Sequence, residues 1–310
     1  MEEYLLHTVK EGECILYLWQ NEKTVVIGRN QNPWKECRIK ELNEAGGRLV
    51  RRLSGGGAVY HDMGNLNFTF LVTKGNYNVE KQLEVIIRAV NRLGIPAAKS
   101  GRNDITVEGK KFSGNAFYST GNQCYHHGTI LVDVDMPSLS RYLNVSKTKL
   151  QSKGVDSVKS RVTNLNEYKP NLTISRLKDE LITAFGEVYG LEPVKIDTML
   201  LPEKGLHSGE EKFASWEWIY GRKIEFGDSF TRRFDWGEAE LQMVVEGGII
   251  KDCRAYSDAL DTELFEAIPE YLTGCTFKAE DMEKALRRIV PGMDKRQMLE
   301  DVIRLVREEF

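Results

Sequence analysis

Three features of the sequence predict an α+β protein, with a large domain of mixed and antiparallel sheets plus helices and a small α+β unit behind it. In the first two thirds, short strands outnumber helices, which suits an antiparallel or mixed sheet better than a doubly wound one. Residues 104–133 read as a strand meander. Beyond about Phe230 the texture changes to two strand-like pieces and three helical stretches, enough for a separate unit of about 80 residues. The expected division is therefore into residues 1–228 and 229–310.

Cys14 to Trp19 and Thr24 to Ile27 read as short strands around a turn at Asn21–Glu22–Lys23. Asn32 followed by Pro33 signals a helix start, because the Asx side chain caps the first turn and the N–H that proline lacks is not needed there. That helix is expected to run from Trp34 to Ala45 and to stop at Gly46–Gly47. Arg48 to Val50 and Asn67 to Val72 are expected strands flanking three consecutive glycines. Val79, Leu83, Ile86, Ile87, Val90 and Leu93 recur at three- and four-residue spacing before Gly94, which predicts an amphipathic helix. In the meander, Ile105 and Val107 lead to a turn at Glu108–Gly109, Phe112 to Tyr118 lead away, and Thr129 to Val134 form another strand. Ser152 to Asn164 is polar and aperiodic and reads as a surface loop. Ile174 to Tyr189 is a second amphipathic helix, ended by Gly190. In the tail, Ala239 to Val245 and Gly248 to Ala255 are strands meeting at Gly247, followed by helices around Leu264, Met282 to Ile289 and Met298 to Val306.

The 43 basic and 46 acidic residues leave a net charge of −3, whereas a protein that coats nucleic acid needs a basic excess. No apolar run approaches the roughly 18 residues that span a bilayer, and the acidic start MEEYLLHTVKEGE lacks the parts of a secretion signal. The cysteines (Cys14, Cys37, Cys124, Cys253, Cys275) are odd in number and never spaced Cys-x-x-Cys. They argue against a disulfide framework or a structural zinc site and for a reducing cytosol. A cytoplasmic protein with no nucleic-acid or membrane partner and no protein-held metal is expected.

The most informative stretch is RRLSGGGAVYHDMGNLNFTF, Arg51 to Phe70. Three glycines in a strand-rich region cost chain entropy. A bulge or strand corner needs one glycine and seldom three. The alternative is a ligand lying directly on the backbone, where N–H groups face anionic oxygen and the two arginines upstream supply charge. The loop is neither a Walker motif nor a dinucleotide fingerprint. In GRNDITVEGKKFSGNAFY, Gly101 to Tyr118, Lys111 stands beside Phe112 and Ser113–Gly114, where a lysine needs an anionic partner or a shifted pKa. Asn103–Asp104 also suits a plain turn. His126 and His127 open the next strand, and adjacent strand residues face opposite sides, so a shared metal is disfavoured.

Together these segments resemble the lipoate–protein ligase family, within the wider group of biotin ligases and lipoyl or octanoyl transferases. The match is carried by VVIGRNQNPWKE (Val25 to Glu36), the two stretches above, HHGTILVDVD (His126 to Asp135), KGVDSVKSRVTNL (Lys153 to Leu165) and SWEW (Ser215 to Trp218). The resemblance implies a biotin/lipoate ligase-like catalytic domain over residues 1–228 and an accessory domain over 229–310. It implies ATP, with Mg2+, converting lipoate to lipoyl-AMP, after which a lysine of an apo lipoyl domain takes the acyl group. That acceptor would belong to an oxoacid dehydrogenase acyltransferase or to the glycine-cleavage H protein. Lys111 matches the catalytic lysine of the family. Arg52, Gly57, Ala58, Val59, Tyr60, Asn103, Asp104 and Lys111 match its ATP and adenylate contacts. Ser54, Gly55, Gly56, His127 and Gly128, again with Lys111, match its lipoate site, and Lys153, Lys159 and Arg161 its mobile adenylate loop. Family members begin with another strand and a D-P-x-x-N-L-A stretch, so this chain is expected to start inside the first helix. Two rival readings are an ATP-independent octanoyl or lipoyl transferase working through a Cys124 thioester, and a catalytically weak lipoate-binding module.

Overall fold

The computed structural model describes residues 1–101, 104–144, 162–197, 201–220, 228–292 and 295–309. Six strands form one antiparallel sheet: β1 (Cys14–Trp19), β5 (Asn65–Thr73), β9 (Gln123–Leu131), β8 (Lys110–Thr120), β7 (Asp104–Val107) and β6 (Ala97–Ser100), in that spatial order. The meander follows its turn chemistry. Glu108 and Gly109 both have positive φ, 50° and 77°, as a tight hairpin with right-handed twist requires. The last strand begins at Gln123, not at Thr129, because the turn at Gly121–Asn122 returns the chain earlier. His126 and His127 consequently lie in mid-strand.

One face of this sheet carries the main core. Helices α4 (Val79–Arg92) and α6 (Ile174–Tyr189) lie against Phe68, Phe70, Ile105 and Phe112, burying Ile86, Val90, Leu177 and Leu181. Asn78 and Thr173 cap the two helices through their side chains, and Gly190 ends the second at φ 69°. The other face is covered by α1 (Glu2–Thr8), whose Leu5 and Leu6 pack with Leu53, Leu71 and Tyr125, and by a small mixed sheet. In that sheet β2 (Thr24–Ile27) pairs in parallel with β3 (Arg48–Arg51) and antiparallel with β4 (Val59–His61).

The helix expected from Trp34 to Ala45 is two short ones, α2 (Pro33–Glu36) and α3 (Ile39–Glu44). The Asn32 cap is present, with Trp34 N donating to Oδ1 at 3.1 Å. The break is tertiary: Cys37 is extended and bridges Leu143, and Arg38 N donates to Tyr142 O, just beyond and within α5 (Met136–Tyr142). Two further helices follow, α7 (Glu203–Ala214) and α8 (Trp216–Ile219).

The tail has its own core. Strands β10 (Asp228–Phe234), β11 (Gly237–Glu246) and β12 (Ile249–Ser257) form an antiparallel sheet. Helices α9 (Glu263–Leu272), α10 (Ala279–Leu286) and α11 (Arg296–Glu308) close over it around Phe265, Ile268, Leu286 and Val302. This unit sits on the loop between β2 and α2. Ser257 N donates to Asn30 O at 2.9 Å, and Arg29 and Lys35 pair with Glu266 and Glu240 at 2.9 and 2.6 Å. No described helix is long and apolar enough to cross a membrane.

Candidate active site

Between the six-stranded sheet and the small sheet lies a cavity of about 220 Å³. Its floor is the sheet face opposite the main core, formed by Trp19, Asn67, Thr129 and His127 with Gly114 and Ala116. Its other walls are Arg52, the glycine loop from Gly56 to Val59, His61, Glu2 of α1, and Leu260 from the tail unit. Lys111 also lines it.

The three glycines serve three different purposes. A Cβ on Gly55 would fall 2.3 Å from Ala259 O and 2.5 Å from Leu260 O, so Gly55 is required by the packing of the tail unit on the loop. Gly56 has φ 91°, which disfavours any other residue, and its N–H donates to Ala259 O at 2.8 Å. Only Gly57 of the three faces open space. Ala58 and Val59 border the cavity, whereas the Tyr60 ring packs into the core against Tyr142, 5.4 Å between centroids, and its backbone pairs with Val25.

The two arginines also part company. Arg51 is 3% exposed and donates only into the structure, to carbonyls around Gly28 and Trp218. Its expected role as charge for an anion gives way to a structural one. Arg52 lines the cavity and grips the loop, donating to Gly55 O and Gly57 O at 2.7 and 2.8 Å, to Val26 O at 3.1 Å and to Ser54 Oγ at 3.0 Å. Burial pushes its guanidinium down to about 10, still charged at neutral pH.

A continuous hydrogen-bonded chain forms one wall. Ser54 Oγ meets His127 Nε2 at 2.7 Å, His127 Nδ1 meets Glu2 Oε1 at 2.9 Å, Thr69 Oγ1 donates to the same oxygen at 2.6 Å, and Trp19 Nε1 donates to Thr69 Oγ1 at 3.2 Å. The imidazole donates from Nδ1 to the carboxylate, and its Nε2 meets the Ser54 hydroxyl. Burial opposes the charge on Glu2, yet His127 and the two hydrogen bonds outweigh it and hold the carboxyl below its ordinary value. Ser54 therefore acts on the cavity through His127 rather than by lining it. Gly128 borders the cavity with its backbone, but its missing side chain faces the core, where a Cβ would lie 2.7 Å from Phe68 Cζ. His61, 3% exposed and held near pKa 3 by burial, is a neutral imidazole in the wall.

Lys111 Nζ lies 2.7 Å from Asp104 Oδ1, an ion pair by distance rather than an aligned hydrogen bond. That supplies the anionic partner expected for a lysine at this place. Of the other expected site residues, Asn103, Lys153, Lys159 and Arg161 lie outside the described residues, as does most of the Ser152 to Asn164 stretch. Cys124 is 2% exposed on β9 with Sγ 3.4 Å from Ser119 Oγ, and it is not a cavity residue. Glu2, Trp19, His61, Asn67, Thr129 and Leu260 were not expected. Strand alternation from His127 and Thr129 through their partners Thr69 and Asn67 would have pointed to Asn67 and Trp19.

Among the described residues no three His, Cys, Asp or Glu side chains gather as a metal site. Chemically, the cavity offers a lysine ammonium, an open glycine backbone, and a floor carrying an aromatic ring and an amide.

Comparison with known proteins shows what the chain is similar to. Residues 1–186 match the family model described as lipoyl protein ligase A/B catalytic domain, and residues 223–304 that of the bacterial lipoate protein ligase C-terminus. A lipoate-protein ligase A of Psychrobacter cryohalolentis is 39% identical over 290 residues, 91% of this chain and 86% of that protein. The crystal structure of P. falciparum LipL1 in complex with lipoate has a TM-score of 0.81 at 32% identity, covering 96% of this chain and 88% of that one. That of a lipoate-protein ligase A bound with ATP has a TM-score of 0.61 at 26% identity, covering 71% and 91%.

Proposed function

The chain belongs to the lipoate–protein ligase family, and on that premise we propose how its own residues divide the work. It is an ATP-dependent ligase that activates lipoate and attaches it to protein. Its first chemical step joins two anions, a carboxylate and a polyphosphate, so donors must offset their repulsion and the charge growing at phosphorus. Lys111 provides the mobile cation, and the open backbone at Gly57, with Ala58 and Val59, provides N–H groups for nucleotide oxygens. Arg52 shapes that loop and adds its charge. The observation that carries this reading is the single cavity in which Arg52, the glycine loop, Lys111 and His127 converge.

The acyl chain lies along the floor past Ala116 and Thr129 toward Asn67 and Trp19, with the Glu2–His127–Ser54 chain as one wall. Asp104 joins the nucleotide contacts. Magnesium keeps several waters and takes few protein carboxylates when it travels with a nucleotide. Asp104, whose Oδ1 lacks an aligned donor, fits that part. Residues 1–228 hold this catalysis, and 229–310 act as the accessory unit on the glycine loop. The acceptor is an apo lipoyl domain, and the setting is the cytoplasm.

The transferase alternative requires a reactive thiolate at the cavity, and Cys124 is walled off from it. The test is pyrophosphate exchange into ATP by the purified chain. Exchange that depends on lipoate is expected. Acyl transfer without ATP, or lipoate binding with no exchange, would contradict the proposal.

A further inference from the structure

A regular strand would turn Lys111 away from the cavity. In the pairing of β7 with β8, Asp104 faces Gly114 and Ile105 faces Ser113, but Thr106 faces Lys111, so Phe112 is an extra residue. Directly opposed partners share a face. The bulge therefore moves Lys111 onto the face of Asp104 and Gly114, whereas unbroken alternation would have placed it with Ser113 and Ile105. Phe112 drops into the main core, fully buried, which fixes the bulge in place. Thr163 N donates to Lys111 O at 2.9 Å and pins the lysine backbone from the other side.

With the lysine so aimed, its chain folds back over residue 114. A Cβ there would stand 2.8 Å from Lys111 Nζ and 2.9 Å from Cε, and among the described residues it would meet nothing else within 4 Å. Nor does the backbone at Gly114 demand glycine, since it is not one of the positive-φ positions. The crowded atoms are the far end of a flexible side chain, so the fold can absorb a methyl group there and the lysine tip cannot.

We propose that Gly114 is a positioning residue for Lys111: its missing side chain is the seat that holds the ammonium at the reacting oxygens. This rests on the ligase reading above, and it gives a residue of the cavity floor a role exerted through Lys111.

The test is Gly114→Ala in the full chain, assayed for lipoate-dependent pyrophosphate exchange and for thermal unfolding. The expected result is an unfolding temperature close to that of the unsubstituted chain and KM values for ATP and lipoate nearly unchanged. The kcat is expected to fall by about a hundredfold, as a displacement of about 1 Å at a reacting group produces. The same substitution in a Lys111→Ala background is expected to lower the residual rate no further, because residues that act as one unit are not additive. An undiminished kcat, a loss of folding, or an equal further loss without Lys111 would each overturn the inference. If the unsubstituted chain shows no lipoate-dependent exchange, the ligase reading falls first and this inference with it. An active parent and an equally active variant would sink the inference alone.

Discussion

Replacing Arg51 by lysine keeps the charge, and it should still destabilise the protein strongly. The guanidinium donates to five carbonyl oxygens, of Trp218 at 3.0 Å and Arg29 at 2.9 Å, both half-buried, and of Gly28 at 3.1 Å, Gln31 at 2.7 Å and Ile219 at 2.7 Å, all buried. Those carbonyls belong to the turn before α2 and to α8, so one side chain ties both to β3. An ammonium has three donors and no planar fork, and although Gly28 O keeps its bond from Gln31 N, at least one of the other four carbonyls loses its partner. An unsatisfied buried polar group costs about 1–3 kcal/mol, so the expected loss is at least about 1–3 kcal/mol. That is a large share of the about 5–15 kcal/mol that holds an ordinary domain together. The assay is urea unfolding at pH 7 followed by tryptophan emission, since Trp218 Nε1 itself donates to Arg51 O at 2.8 Å. A loss under about 1 kcal/mol would refute the view that Arg51 is a hub of backbone hydrogen bonds.

Gly128→Ala should also destabilise, by about 1–3 kcal/mol, because its Cβ would lie 2.5 Å from Gly114 O, a backbone atom that cannot step aside; unchanged thermal unfolding would contradict this. Cys124→Ala should leave ATP-dependent lipoylation intact, and an acyl-thioester trapped on Cys124 would reverse the assignment to ligase. Stability should fall on acidification below about pH 6.5. Burial holds His61 and His126 near pKa 3, so both stay neutral when folded while the unfolded chain takes up the protons. Each contributes a slope of up to about 1.4 kcal/mol per pH unit between those limits. The lowered carboxyl of Glu2 acts in the same direction at lower pH. Urea midpoints that do not change between pH 7 and pH 5 would show that these imidazoles are not held neutral.

Much of this architecture was legible because it rests on local signals. The α6 span matches residue for residue, from Ile174 to Tyr189, since a strong 3.6-residue period and the glycine that ends it agree. The errors come from contacts distant in sequence. Nothing near Cys37 announces that Leu143 will pair with it and split a helix. Gly55 looks like a ligand seat until Ala259 and Leu260 are seen to occupy its side-chain space. In the site, Lys111 and the glycine loop stood out because a lysine among apolar strand residues and a run of glycines are costly without a reason. Trp19, Asn67 and Glu2 carry no such cost in their own segments; sheet register brings the first two to the cavity, and the packing of α1 on the sheet brings Glu2. Arg51 and Arg52 are neighbours of one type, and alternation alone separates the buried hub from the cavity wall.

In the proposed mechanism Lys111 stabilises the developing charge of adenylate formation. A single turnover of Lys111→Ala with saturating ATP and lipoate, quenched and analysed for lipoyl-AMP, tests it most directly. Loss of one such transition-state contact costs about 2.7–4 kcal/mol, so the rate should fall by about 10²–10³ in a protein that still unfolds as the parent does. A folded Lys111→Ala variant that forms lipoyl-AMP at close to the parent rate would contradict the account.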